Sequence, residues 1–270
     1  MRLVFKFLNK SAKALFVLIN ILFAFLITLI VNFNIFKIFN IIYDLNLIKG
    51  EIMKNLFIFD MDGLLLDTEA LYQKYWFQVI NEKNINMTEL ELRKIIGFSF
   101  EQTKNYFLNY VNNEEEFYEL RKRREVIFWE EIEKYGVPAK LGVIEMLEHL
   151  KQENIKTALI TSTEEQRAKK LLNHAGIKHE FDYMVFSNMV SKTKPDPEVY
   201  HLLESLTDIN KDKWIVFEDS YNGLKAANNA EVDVVWIKDL AELKDHNVNY
   251  MNRYESLLEC LDKIKNDESL

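Results

Sequence analysis

Leu56-Phe57-Ile58-Phe59-Asp60-Met61-Asp62-Gly63-Leu64-Leu65-Leu66-Asp67-Thr68-Glu69 is the stretch that decides how this chain folds. A short apolar run halts at two carboxylates one residue apart, with a glycine directly behind them. That is the pattern of a buried parallel strand delivering acids to the carboxyl edge of a sheet. Two acids so placed can hold a cation, or divide the work of nucleophile and proton carrier. Alone, Asp-x-Asp-Gly also fits a turn or a helix cap. A calcium-binding loop fails on spacing: it needs glycine at its sixth place and glutamate at its twelfth, where, counting from Asp60, Leu65 and Leu71 stand.

Three further segments narrow the choice. Lys156-Thr157-Ala158-Leu159-Ile160-Thr161-Ser162-Thr163 is a second apolar strand, ending in hydroxyls. Ser191-Lys192-Thr193-Lys194-Pro195-Asp196-Pro197-Glu198 sets a lysine before a Pro-x-Pro helix start. Trp214-Ile215-Val216-Phe217-Glu218-Asp219-Ser220 is a third strand ending in an acid pair, followed by the helical pattern Asn222-Gly223-Leu224-Lys225-Ala226-Ala227. Each has a bland reading: Thr161 as the cap of a helix starting near Glu164, Lys194 as a solvated lysine, Glu218 and Asp219 as helix caps. In an open α/β sheet, however, strand carboxyl ends share one edge, and ligands bind there. The four segments together would line that edge with acids, hydroxyls and a lysine.

The expected fold class is therefore α/β: a doubly wound parallel sheet with helices on both faces. Strands are expected at Leu56–Asp60, Lys156–Thr161, Tyr183–Ser187, Trp214–Glu218 and Asp233–Ile237. Helices are expected at Val143–Glu153, Glu164–Ala175, Glu198–Leu206 and Tyr221–Ala230. Residues 69–139 read almost wholly as helix, with apolar positions such as Leu71, Tyr75 and Val79, then Phe117, Leu120, Ile127 and Phe128, at helical spacing. The expected organisation is an α/β core of residues 53–68 and 140–270, interrupted by a small all-helical domain at 69–139.

With these four motifs in order over residues 53–240, the chain resembles the haloacid dehalogenase-like superfamily, in its subgroup of small-molecule phosphatases and β-phosphoglucomutases. The resemblance implies a Rossmann-like core and a helical cap that closes over the site. It implies Asp60 as the nucleophile that takes up the phosphoryl group, and Asp62 as general acid and base. Thr161 and the backbone N–H of Ser162 would bind the phosphoryl group, and Lys194 would bridge it to the nucleophile. Mg²⁺ is the implied cofactor, held by Asp60, the backbone carbonyl of Asp62, Asp219 and Glu218, the last directly or through water. The family's dehalogenases lack the acid that Asp62 supplies. One departure is Glu231, where the family has a glycine suited to a left-handed helix end.

The implied partner is a small phosphorylated metabolite, of the sugar phosphate or nucleotide type. The main rival is a β-phosphoglucomutase-like isomerase. Those mutases carry a lysine before and an arginine after the glycine and serine of the cap loop, where Ile96 and Phe100 stand in Ile95-Ile96-Gly97-Phe98-Ser99-Phe100; Tyr72 occupies their hinge-histidine position. A nucleic-acid partner is not expected: the chain is acidic, with 34 basic against 42 acidic residues and a net charge of −8. The basic run Arg121-Lys122-Arg123-Arg124 is read as a solvated helix face, with Glu119 four residues before Arg123. The single cysteine, Cys260, allows no internal disulfide and fits a reducing compartment, hence a cytoplasmic location. Oligomeric state leaves no signal.

Residues 1–52 differ in character. No charge falls between Lys13 and Lys37, and residues 14–36 are long enough to span a bilayer. Arg2, Lys6, Lys10 and Lys13 before that stretch would keep the N-terminus in the cytoplasm. The preferred expectation is that 1–52 is translated leader sequence and that Met53 is the start. Codons for Lys49-Gly50-Glu51 can spell a bacterial ribosome-binding site one codon ahead of Met53. The remainder then holds 28 basic and 40 acidic residues, a charge of −12. The alternative is a membrane anchor at 14–36, which would also admit a tethered, non-catalytic binding module.

Overall fold

The computed structural model describes residues 54–98, 100–240 and 247–266. The leader or anchor expected in residues 1–52 therefore lies outside the described residues, as does Ser99 of the cap loop. Among the described residues no helix is long and apolar enough to cross a membrane.

Among the described residues six strands form one parallel sheet: β1 (Leu56–Phe59), β2 (Lys156–Ile160), β3 (Tyr183–Val185), β4 (Trp214–Glu218), β5 (Val234–Ile237) and β6 (Arg253–Tyr254). Their order is β3-β2-β1-β4-β5-β6, with β1 in the centre. Register is tight there, Leu56 lying opposite both Lys156 and Trp214. The strands are rich in β-branched and aromatic residues, which suit a pleated and covered surface. Alternation divides them between two cores. Phe57, Phe59, Ile215, Phe217, Val235 and Ile237 face one side, while Leu56, Ile58, Trp214, Val216, Val234 and Trp236 face the other. Both faces are therefore dry, the condition under which a strand reads as a continuous apolar run.

Between β1 and β2 the chain builds α1 (Thr68–Glu82), α2 (Glu89–Leu92), α3 (Phe100–Phe107) and α4 (Glu114–Tyr135), then α5 (Val143–Gln152). α1 and α4 meet through aromatic side chains. Tyr72 stacks on Phe128 with ring centres 4.7 Å apart, and Trp76 stacks on Phe117 at 6.1 Å while also packing on Phe107 of α3 at 4.5 Å. Phe128 is fully buried. Phe128→Ala is expected to lower stability by about 3–5 kcal/mol, read from urea unfolding. The segments that lead into and out of these helices run side by side. Asp67 N–H donates to Pro138 O (2.9 Å), and Lys140 N–H donates to Leu65 O (3.0 Å).

The remaining helices are α6 (Glu165–His174), α7 (Glu198–Leu206), α8 (Tyr221–Asn229) and α9 (Leu257–Lys265). Most elements stop one or two residues short of their expected ends, since an acid or hydroxyl that leaves the ladder to face the site is no longer strand. Glu231 does take a left-handed conformation, with φ of 57°. β6 and α9 are additions to the expected list of elements. The reading of the basic run needs correction. Arg121, Lys122 and Arg123 are exposed as expected, but Arg123 pairs with Glu82 on α1 (3.0 Å) rather than with Glu119, and the Arg124 side chain is largely buried over the rings of Tyr72 and Trp76.

Candidate active site

The sheet's carboxyl edge gathers the residues that the sequence singles out. Asp60 follows β1 directly, and its N–H donates to Phe217 O on β4 (3.2 Å), so the residue stays aligned with the sheet. Thr161 follows β2 in the same way, donating its N–H to Val185 O (3.1 Å). Glu218 and Asp219 close β4. Lys194 arrives from the loop before α7. Asp60, Asp62, Thr161, Ser162, Lys194 and Asp219 line one cavity of about 390 Å³. The topology explains the meeting: the chain turns from β1 to β2 on one side and to β4 on the other, and a crevice opens where strand order reverses.

Charge is concentrated here. The Lys194 ammonium donates to Asp60 Oδ1 (2.7 Å), to Ile160 O (2.9 Å) and to a Glu218 carboxylate oxygen. Burial alone would lower its pKa, but Asp60 and Glu218 outweigh burial and hold it charged, well above the usual lysine value. Asp60 is pushed up to about 8, first by burial and then by Glu218, with Lys194 opposing. Asp219 is also pushed well above the carboxylate range, by burial and then by Asp60, Glu218 and Asp239. Ligand oxygens of Asp60, Glu218 and Asp219 lie within 4.8 Å of one another. Three acids against one ammonium leave negative charge in excess, and Asp219 Oδ1 has no hydrogen-bond partner. A hard divalent cation is what such a set of oxygens can hold.

The Asp62 carboxylate faces elsewhere and is not in that group. Its two oxygens accept from Thr68 Oγ1 and Thr163 Oγ1, both at 2.7 Å. Thr161 Oγ1 in turn accepts from Thr163 N–H (3.0 Å), which orders the hydroxyl loop after β2. Charge-assisted bonds from two directions hold the Asp62 side chain in one place while leaving it in the cavity wall.

Two glycines make room for this crowding. Gly63 has φ of 85°, and a Cβ there would fall 2.3 Å from Asp219 Oδ2. Gly223 lies against Glu218, where a Cβ would come within 1.9 Å of the carboxylate carbon. Ser220 starts α8 by accepting from Gly223 N–H (3.1 Å), so the helix cannot easily recede. Gly223→Ala is expected to unseat Glu218 and to lower stability by about 1–3 kcal/mol, measured as a lower midpoint in urea.

Several residues at the site were given no role in the sequence. Thr68 and Thr163 stand inside the quoted motifs, and a hydroxyl next to an acid motif was the available signal. Glu69 lines the cavity too, its carboxyl raised to about 7 by burial and then by Asp62 and Asp239. Asp239, two residues after β5, carried no motif at all.

Comparison with known proteins finds related chains. A phosphorylated carbohydrates phosphatase of Thermotoga maritima is 33% identical over 183 residues, covering 66% of this chain and 82% of that protein. A fructose-1-phosphate phosphatase of Escherichia coli is 27% identical over 188 residues, covering 67% and 95%. A solved Thermotoga maritima structure described as a β-phosphoglucomutase superposes with a TM-score of 0.65 at 29% identity, covering 78% of this chain and 99% of that one. The family model for haloacid dehalogenase-like hydrolases matches residues 57–237, from β1 to the end of β5, and with the fold and the acid-bearing sheet edge it shows that the chain belongs to that family.

Proposed function

We propose that this protein is a Mg²⁺-dependent phosphatase that hydrolyses a small phosphorylated metabolite of the sugar-phosphate type. The observation that carries the reading is the division of labour between two neighbouring acids on one cavity: Asp60 faces Lys194 and the other metal-binding acids, while Asp62 is gripped by Thr68 and Thr163. Asp60 Oδ attacks phosphorus, and the ester oxygen leaves with a proton from Asp62. Water then attacks the aspartyl-phosphate as Asp62 takes the proton back, which frees phosphate and regenerates Asp60. Thr161, Ser162 N–H and Lys194 bind the phosphoryl oxygens. Asp60, Asp219, Glu218 and the Asp62 carbonyl would hold Mg²⁺, which when bound supplies positive charge against the phosphoryl group. Residues 69–139 act as the cap over a core of 53–68 and 140–270. The reading goes with a cytoplasmic enzyme, and buried Cys260 suits a reducing compartment.

The isomerase reading is weaker. Ile96 and Phe100 line the cavity where the mutases carry basic residues, so these two side chains offer a second phosphate no charge. The test is phosphate release by residues 53–270 from a panel of sugar phosphates and nucleotides with Mg²⁺, with glucose 6-phosphate formation from β-glucose 1-phosphate followed in parallel. Metal-dependent release supports the phosphatase. Isomerisation without release would replace it with the mutase.

A further inference from the structure

Asp239 is a buried acid that the mechanism above does not use. It is nine-tenths buried, it lines the same cavity as Asp60 and Asp219, and its Oδ2 has no hydrogen-bond partner. A Cβ on Gly63 would sit 2.3 Å from Asp219 Oδ2 and 2.9 Å from Asp239 Oδ2, so the two carboxylates flank one small space. The other oxygen, Oδ1, accepts from Lys140 Nζ, whose ammonium also lies 3.5 Å from Asp67 Oδ1. One face of Asp239 is thus tied down by a cation, and the other is left bare toward the acid cluster.

We infer that Asp239 is a positioning residue for the cation site: its bare oxygen receives a water of the bound Mg²⁺, and Lys140 sets how much negative charge Asp239 lends. The inference rests on the reading of Asp60, Glu218 and Asp219 as the cation's holders. Mg²⁺ keeps several of its waters when protein-bound, and those waters need acceptors. A buried carboxylate oxygen without a donor is such an acceptor, and partners of this outer kind change metal affinity by about 10–100-fold. The two members of the Asp239–Lys140 pair should therefore act in opposite senses. The aspartate adds attraction for the cation, whereas the lysine offsets it.

The test is Mg²⁺ titration calorimetry of the full chain without substrate, so that turnover plays no part. Asp239→Asn is expected to weaken Mg²⁺ binding at least tenfold, and Lys140→Met to tighten it severalfold. A structural strut would respond differently: both variants would lower the unfolding temperature and weaken Mg²⁺ together, and that result overturns the inference. A folded Asp239→Asn protein that binds Mg²⁺ within twofold of the parent also overturns it. Should Asp239→Asn not fold, Lys140→Met decides, tightening in favour and anything else against. A parent protein that takes up no Mg²⁺ at all overturns the cation site itself, an outcome distinct from unchanged variants of a parent that binds.

Discussion

Asp60→Asn is expected to abolish phosphate release, by about 10⁴–10⁶-fold in kcat, while leaving the fold intact. The amide keeps an oxygen for the Lys194 ammonium, which now donates to Asp60 Oδ1 at 2.7 Å. It has no lone-pair-rich carboxylate with which to attack phosphorus. The same change should raise thermal stability in metal-free protein. The folded pKa of Asp60 stands at about 8, above its ordinary 3.8. A carboxyl raised on folding is harmless below its unfolded pKa. It becomes increasingly destabilising as pH climbs from there to the folded value. The gain from Asp60→Asn should therefore be small near pH 4 and largest at pH 8. Scanning calorimetry at the two pH values, in chelator, checks the sign. A variant less stable than the parent at pH 8 would show that the Asp60–Lys194 ion pair outweighs the crowding.

Lys194→Met should be the most damaging single substitution at the site for stability, and it should slow turnover as well. Its ammonium is the cation shared by Asp60 and Glu218, and its side chain is 4% exposed. Removing it leaves buried carboxylates facing each other without a counter-charge. Breaking a buried ion pair from one side destabilises by about 3–5 kcal/mol. Activity should fall by about 10²–10³-fold, the loss that follows removal of one donor to a charged transition state. The stability deficit should shrink on adding Mg²⁺, because a bound cation favours the folded state by mass action. Urea unfolding with and without Mg²⁺ measures this. A deficit that ignores the metal would mean that Lys194 acts through packing and not through charge.

The core was legible because burial on both faces leaves a strong mark. Leu56 to Phe59 and Trp214 to Phe217 are unbroken apolar runs, and each stops at an acid where the chain turns to the site. β6 was illegible for the opposite reason: two residues, Arg253 and Tyr254, give no period. α9 did carry a readable start, since Ser256 accepts from Glu259 N–H (3.2 Å), the side-chain cap that Ser-x-x-Glu announces. At the site, residues that end strands could be named from sequence. Asp239 could not, because its relation to Asp219 depends on β5 lying beside β4, and spacing alone does not carry that. Arg124 was misread for a similar reason. Charge pattern marks a run as polar, but Tyr72 and Trp76 offer ring faces to this guanidinium, and its stem is buried with them.

The two passages that join the helical insert to the sheet touch, with Leu66 bridged to Ala139 and the flanking backbone groups bonded across. Seventy-odd residues thus depart and return through a single doorway. Such a segment can be lengthened, shortened or exchanged by recombination without re-threading the sheet, because the ends to be rejoined are already neighbours. Limits on such an exchange come from contacts beyond the doorway, among them the grip of Arg167 of α6 on Tyr72 (2.7 Å) and Glu125 (2.7 Å), and that of Lys170 on Glu133 (3.0 Å). A transplanted insert that keeps an acid and a phenol at those places would inherit the seating of this one. One that lacks them would have to supply its own, and the insert would then rest against the sheet in a different posture.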